Sequence, residues 1–185
     1  MHSKLSVLLL ALPALTLSSC LGSSTESADT VVRAGTGYSV SVPSAWTEVP
    51  AKNLPTIPRG TIELAMNSRE ISGGFANNLT ILSESLDRDT TSREYAITNN
   101  TLSTAEYIEY QKLSETEIAF VDEDTSLLYE FEARYNTTTP KIRFFQTAKI
   151  CGQKAYLITV GVSLDTEGST RYEELVKSFE CREEK

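Results

Sequence analysis

Between Leu127 and Ser163 the chain runs through three long apolar-rich stretches joined by short turns, and this run limits the fold more than any other part. In Leu127-Leu-Tyr-Glu-Phe-Glu-Ala-Arg-Tyr135 the odd positions are apolar, with Glu130, Glu132 and Arg134 between them. That is the period of a strand with a core on one side and water on the other. Asn136-Thr-Thr-Thr-Pro140 turns, Lys141 to Ile150 returns, Cys151-Gly152-Gln153 turns again, and Lys154 to Ser163 closes the run. Parallel neighbours need a crossover of about a dozen residues or more, so turns this short dictate an antiparallel meander.

Tyr38-Ser-Val-Ser-Val42 alternates in the same way before Pro43, and Thr61–Met66 and Asn78–Glu84 read as further strands. Residues 67–77 read as a polar loop, and residues 47–60, with Pro50, Pro55 and Pro58, as an irregular one. Thr91 and Glu94 form a capping box opening a helix that runs to about Ala105. This helix is rich in Ser, Thr and Asn, poor formers, so packing must hold it. One more strand falls between Tyr107 and Phe120. A second capping box, Thr170 with Glu173, opens a helix whose Tyr172, Leu175, Val176 and Phe179 make one apolar stripe. The expectation is a single α+β domain over residues 35–185: an antiparallel sheet of about six strands, a meander in its C-terminal half, and helices packed on it.

The layout resembles the PsbP-like fold, a family that takes in the extrinsic photosystem subunit PsbP, DcrB-type and other bacterial lipoproteins, and a nuclear-transport factor. The resemblance rests on Gly37-Tyr-Ser-Val-Ser-Val-Pro-Ser-Ala-Trp46, Thr91-Ser-Arg-Glu-Tyr95, Gly152-Gln-Lys-Ala-Tyr-Leu-Ile-Thr159 and Leu175-Val-Lys-Ser-Phe179, in that order. It implies an antiparallel sheet with helices on it. Its members differ in function, so it implies no activity.

The first 19 residues have the parts of an export signal: Lys4 with His2, an apolar run of 13 residues from Leu5 to Leu17, then Ser18 and Ser19. The run is shorter than the ~20 residues a membrane-crossing helix needs. Leu17-Ser-Ser-Cys20 resembles the bacterial lipobox, in which cleavage precedes a lipid-bearing cysteine. The expected organisation is a lipoprotein signal peptide (1–19), a flexible tether (20–34) and the domain. The expected address is extracytoplasmic, anchored to a membrane through Cys20. Leu21, where an Asp would retain the protein at the inner membrane, favours the outer membrane in a diderm cell.

If Cys20 is lipidated, Cys151 and Cys181 remain as a pair, and in an exported protein a pair reads as a disulfide. Cleavage also removes His2, the only histidine, and with it the usual general base and common metal ligand. The net charge of −8 with no basic cluster argues against nucleic acid. Asp122-Glu-Asp124 fails as a calcium loop, because the sixth and twelfth positions are Leu127 and Ala133, and reads as a solvated turn. Trp46 reads as a core plug, and Arg143 and Lys149 as solvated. With no catalytic residues, cofactor or metal indicated, the expectation is a non-enzymatic binding or accessory module. Its partner would be an envelope protein or small ligand. The alternative is a small-molecule or lipid carrier with a pocket between sheet and helix.

Overall fold

The computed structural model of the protein describes residues 29–182, so the signal, Cys20 and most of the expected tether lie outside the described residues. The elements in chain order are β1 (Thr30–Gly35), β2 (Tyr38–Pro43), β3 (Thr47–Glu48), β4 (Thr61–Ser72), β5 (Phe75–Ser85), α1 (Ser92–Glu106), β6 (Ile108–Ala119), β7 (Thr125–Arg134), β8 (Ile142–Cys151), β9 (Lys154–Ser163), α2 (Thr170–Lys177) and β10 (Glu180–Cys181). A seven-stranded antiparallel sheet has the order β3-β4-β5-β9-β8-β7-β6, and a three-stranded sheet the order β1-β2-β10. The expected meander is the β6–β9 half of the large sheet. Helix α1 then serves as the connection that carries the chain from β5, near the middle, to the far edge at β6.

The alternation along each strand divides the large sheet into two covered faces. One face carries Leu79, Ile81, Phe145, Tyr156, Ile158 and Val160 against β2, Trp46, and the Tyr172, Leu175, Val176 and Phe179 stripe of α2. The other carries Leu127, Tyr129, Phe131, Ala133, Ile142 and Phe144 against α1 through Ala96. The stripe on α2 and the role of Trp46 follow the sequence reading. Because both faces are covered, Leu128, on the same side of the strand as Glu130, is buried as well. Tyr135, expected in the core, is half exposed at the strand's end.

Several boundaries differ from expectation. The polar loop of 67–77 is mostly β-hairpin, because β4 and β5 pair on to Ser72↔Phe75 around Gly73-Gly74, with a register shift between Asn67 and Ile71. Residues 30–34, expected in the tether, form β1. The strand is almost wholly exposed and is held by its ladder to β2, which pattern reading cannot see. The capping box of α1 is formed: the Thr91 hydroxyl accepts from the Glu94 N–H at 3.1 Å, and the Glu94 carboxylate accepts from the Thr91 N–H at 3.0 Å. The one expected for α2 is not: Ser169 is its N-cap, and no side chain caps it.

Cys151 and Cys181 form the expected disulfide, which ties β10 to the end of β8. The edge strand β6 carries two register shifts, and Glu109, at φ 57, lies within the first. Such irregularities blunt an edge that could otherwise pair with another chain.

Candidate functional site

Helix α1 packs on β7 and β8 and only marginally reaches β9. The same face of β4 and β5 is therefore left to the 54–60 loop. Between helix and loop runs a cleft of about 450 Å³. Its floor is two rows of side chains defined by strand register. The first is apolar, Leu157 opposite Leu82 opposite Ile62. The second, two residues along, is mainly polar: Gln146 opposite Thr159 opposite Thr80, ending at Ala65. Rows two residues apart on a strand are separated by ~6.6 Å.

Tyr95, Asn99, Leu102, Ser103 and Glu106 of α1, with Tyr107, line one wall, and Leu54, Ile57 and Arg59 the other. The helix positions recur at the three- and four-residue spacing of one face. The loop wall passes close over β5 at Gly60, whose φ is +74 and where any Cβ would strike the carbonyl oxygen of Ser83.

The polar groups of the cleft are ordered by one another. Gln146 is buried; it accepts from the Ser103 hydroxyl at 3.1 Å and donates to the Thr159 hydroxyl at 3.0 Å. At the mouth, Arg59 pairs with Glu84 at 2.6 Å, and the Tyr95 hydroxyl donates to the other oxygen of Glu84 at 2.7 Å. The hydrogen bond from Arg59 holds the Glu84 carboxyl below its usual range despite partial burial, so it stays ionised. Burial, aided by Glu84, raises Tyr95 to about 12, and burial raises Tyr107 further. These tyrosines are neutral hydrogen-bonding groups at neutral pH and unsuited to act as bases.

A shallower depression of about 610 Å³ surrounds the disulfide. It opens over the β8–β9 turn, around Gly152 and Gln153, and offers turn backbone in place of an apolar floor. No group of three or more His, Cys, Asp or Glu among the described residues could hold a metal. No helix among them is long and apolar enough to cross a membrane.

Of the residues singled out in the sequence, Trp46 is buried in the core with 7% exposure. Arg143 is held between Glu130 at 3.5 Å and Glu132 at 3.3 Å. The solvated reading of Lys149 is wrong: it is 2% exposed. Its Nζ lies 2.7 Å from Asp122 and 2.9 Å from Asp124, and 4.8 Å from the centre of the Phe120 ring. The acidic turn therefore satisfies a buried lysine. Asp124 also accepts from the Ser92 hydroxyl, and that hydroxyl accepts from the Ile150 N–H at 2.9 Å. Of the quoted motifs, Tyr95, Leu157 and Thr159 reach the cleft. The remaining lining residues were missed because cross-strand register brings them together. The one local signal was threonine at 80 and 159 within otherwise apolar strands.

No protein-family model matches the chain, and no curated protein matches it. Among solved structures, the cyanobacterial PsbP (CyanoP) of Synechocystis sp. PCC 6803 is similar at a TM-score of 0.57 and 14% identity, over 90% of this chain and 99% of that one. A Pseudomonas aeruginosa protein of unknown function, PA94, described as a putative regulator, gives 0.48 and 8%, over 73% of this chain and 83% of its own. A Bacteroides thetaiotaomicron VPI-5482 protein gives 0.47 and 12%, over 84% and 48%. The fold is PsbP-like, as the sequence resemblance implied, and at these identities the likeness is one of fold.

Proposed function

We propose that this protein is a non-enzymatic binding module, anchored outside the cytoplasm by a lipid on Cys20, that captures its ligand in the cleft between α1 and the sheet. The observation that carries the reading is the cleft itself: an apolar row and a polar row on a rigid sheet, walled by a helix and a loop. Ligand sites combine apolar surface with a few placed polar groups in this way. Its carboxylate Glu84 does not favour hydrolysis. A general acid needs a raised pKa, and Glu84 is held down by Arg59.

The anchor and the domain are close. The nine residue steps from Cys20 to Asp29 span at most ~32 Å, little more than the ~30 Å across a domain of this size. A ligand drawn from the membrane or from a neighbouring envelope protein is therefore within reach. The small-molecule carrier reading is favoured over a flat docking face because the floor is recessed between two walls.

Native mass spectrometry of the purified protein tests the reading. A co-purifying mass, lost when Thr80→Trp fills the floor, is expected. A bare mass, together with partner recovery from envelope extract that Thr80→Trp leaves unchanged, moves the function away from the cleft. Membrane fractionation of Cys20→Ala tests the anchor, and retention of that variant in the membrane overturns it.

A further inference from the structure

We infer that the cleft selects an organic cation with an apolar body, its charged end seated where α1 ends. This rests on the cleft reading above. Three observations converge there. First, the cleft's charged residues are Arg59, Glu84 and Glu106. Arg59 is engaged by Glu84 at 2.6 Å, whereas Glu106 has no ion-pair partner among the described residues. Two carboxylates thus face one guanidinium, Glu106 only through its longer-range field, and the rim carries a net negative charge.

Second, Glu106 is the last residue of α1, and the last turn carries no basic residue. The carbonyl groups of a helix's final turn carry about half a negative charge, which a nearby cation offsets. Glu106 adds a full negative charge at the same end, an arrangement unfavourable to the free helix and relieved by a bound cation.

Third, the Tyr107 hydroxyl lines the cleft beside Glu106 and makes no hydrogen bond among the described residues, and neither does the Thr80 hydroxyl on the floor. Both oxygens can accept from an ammonium N–H. The Leu157, Leu82 and Ile62 row, ~6.6 Å from the polar row, offers the surface for an apolar body. An anion would meet Glu106 and the helix end, and could reach Arg59 only by displacing Glu84. The chain's net charge of −8 acts in the same sense over longer range.

The test uses the full chain carrying Cys20→Ala, which dispenses with detergent, and three probes of equal length: n-octylammonium, octan-1-ol and octanoate. Calorimetric titration at pH 7 should show saturable octylammonium binding about five-fold tighter than octanol, with octanoate the weakest; this is the scale of one exposed charge contact. Glu106→Gln, an exposed change that leaves the fold intact, should weaken octylammonium about five-fold and leave octanol within about two-fold. Octanoate binding as well as octylammonium, or Glu106→Gln affecting neither or both probes alike, overturns the cation inference and leaves the cleft reading standing. No saturable binding by any of the three overturns both.

Discussion

Cutting the Cys151–Cys181 bridge should cost most of the stability that the C-terminal segment contributes to the fold. The two cysteines are 30 residues apart in sequence, and the closed loop contains β9 and α2. On the chain-entropy account, a loop of this length restricts the unfolded chain by about 12 cal/mol/K, or ~3.6 kcal/mol at 25 °C. Little else holds the end of the chain. Strand β10 makes two register pairs with β2, Glu180↔Ser39 and Cys181↔Tyr38, and the Arg182 N–H donates to the Gly37 carbonyl at 2.9 Å. Phe179, fully buried and stacked on Tyr38 at 5.3 Å, packs the residue just ahead of β10, next to the apolar stripe that docks α2. For a domain of this size each kcal/mol moves Tm by about 2–4 °C, so the double variant Cys151→Ala/Cys181→Ala should melt about 10 °C lower. Scanning calorimetry of the wild type with and without reductant, beside the double variant, measures this. Reduction should reproduce the variant's Tm, and hydrogen exchange should show loss of protection at β10 with β7, β8 and β9 retained. A Tm within about 2 °C of wild type in both experiments would refute the claim that the bridge limits the unfolded chain.

Lys149→Ala should destabilise the domain by about 2 kcal/mol in urea titration, below the usual cost of breaking a buried pair because both carboxylates are about 40% exposed. Lys149→Met with Asp124→Asn should recover part of that loss. Burial works to raise the Asp124 carboxyl, but hydrogen bonds from Ser92 and Lys149 and the lysine charge outweigh it and hold it below its ordinary value. Since the folded value is the depressed one, the stabilisation is complete above the unfolded range near pH 4–5 and lost as pH falls through the folded value. Acid titration of Asp124→Asn should therefore show a shallower fall in stability than wild type below about pH 4. Gly60→Ala should cost about 1–2 kcal/mol through its positive φ and its clash with Ser83, and should speed proteolysis within residues 54–60.

Legibility in the sequence followed the range of the interaction. The β7–β9 meander and the apolar stripe of α2 could be read because their signals repeat within one element. The ends of β4 and β5 could not, because Asn67–Asn77 is polar and the hairpin is held by ladder bonds and the Gly73-Gly74 turn. Lys149 was misread because its partners, Asp122 and Asp124, lie on the β6–β7 turn, so its burial is a tertiary fact. The cleft was least visible. Gln146, Thr159 and Thr80 are each unremarkable locally and become a row only when three strands are placed in register.

Strand β1 also decides how the molecule answers to being pulled. Tension arriving from the N-terminal side reaches Thr30 first, and Thr30 is paired with Pro43, where β2 passes into the body of the domain. Load applied there opens the ladder pair by pair, from Thr30↔Pro43 toward Gly35↔Tyr38, in the manner of a zip and not by shearing all six pairs together. Because β1 buries almost nothing, its release leaves both cores filled. It would add six residues of slack, up to ~20 Å of extra reach. Strand β1 is thus a mechanical fuse, able to lengthen the N-terminal segment under force while the cleft keeps its shape.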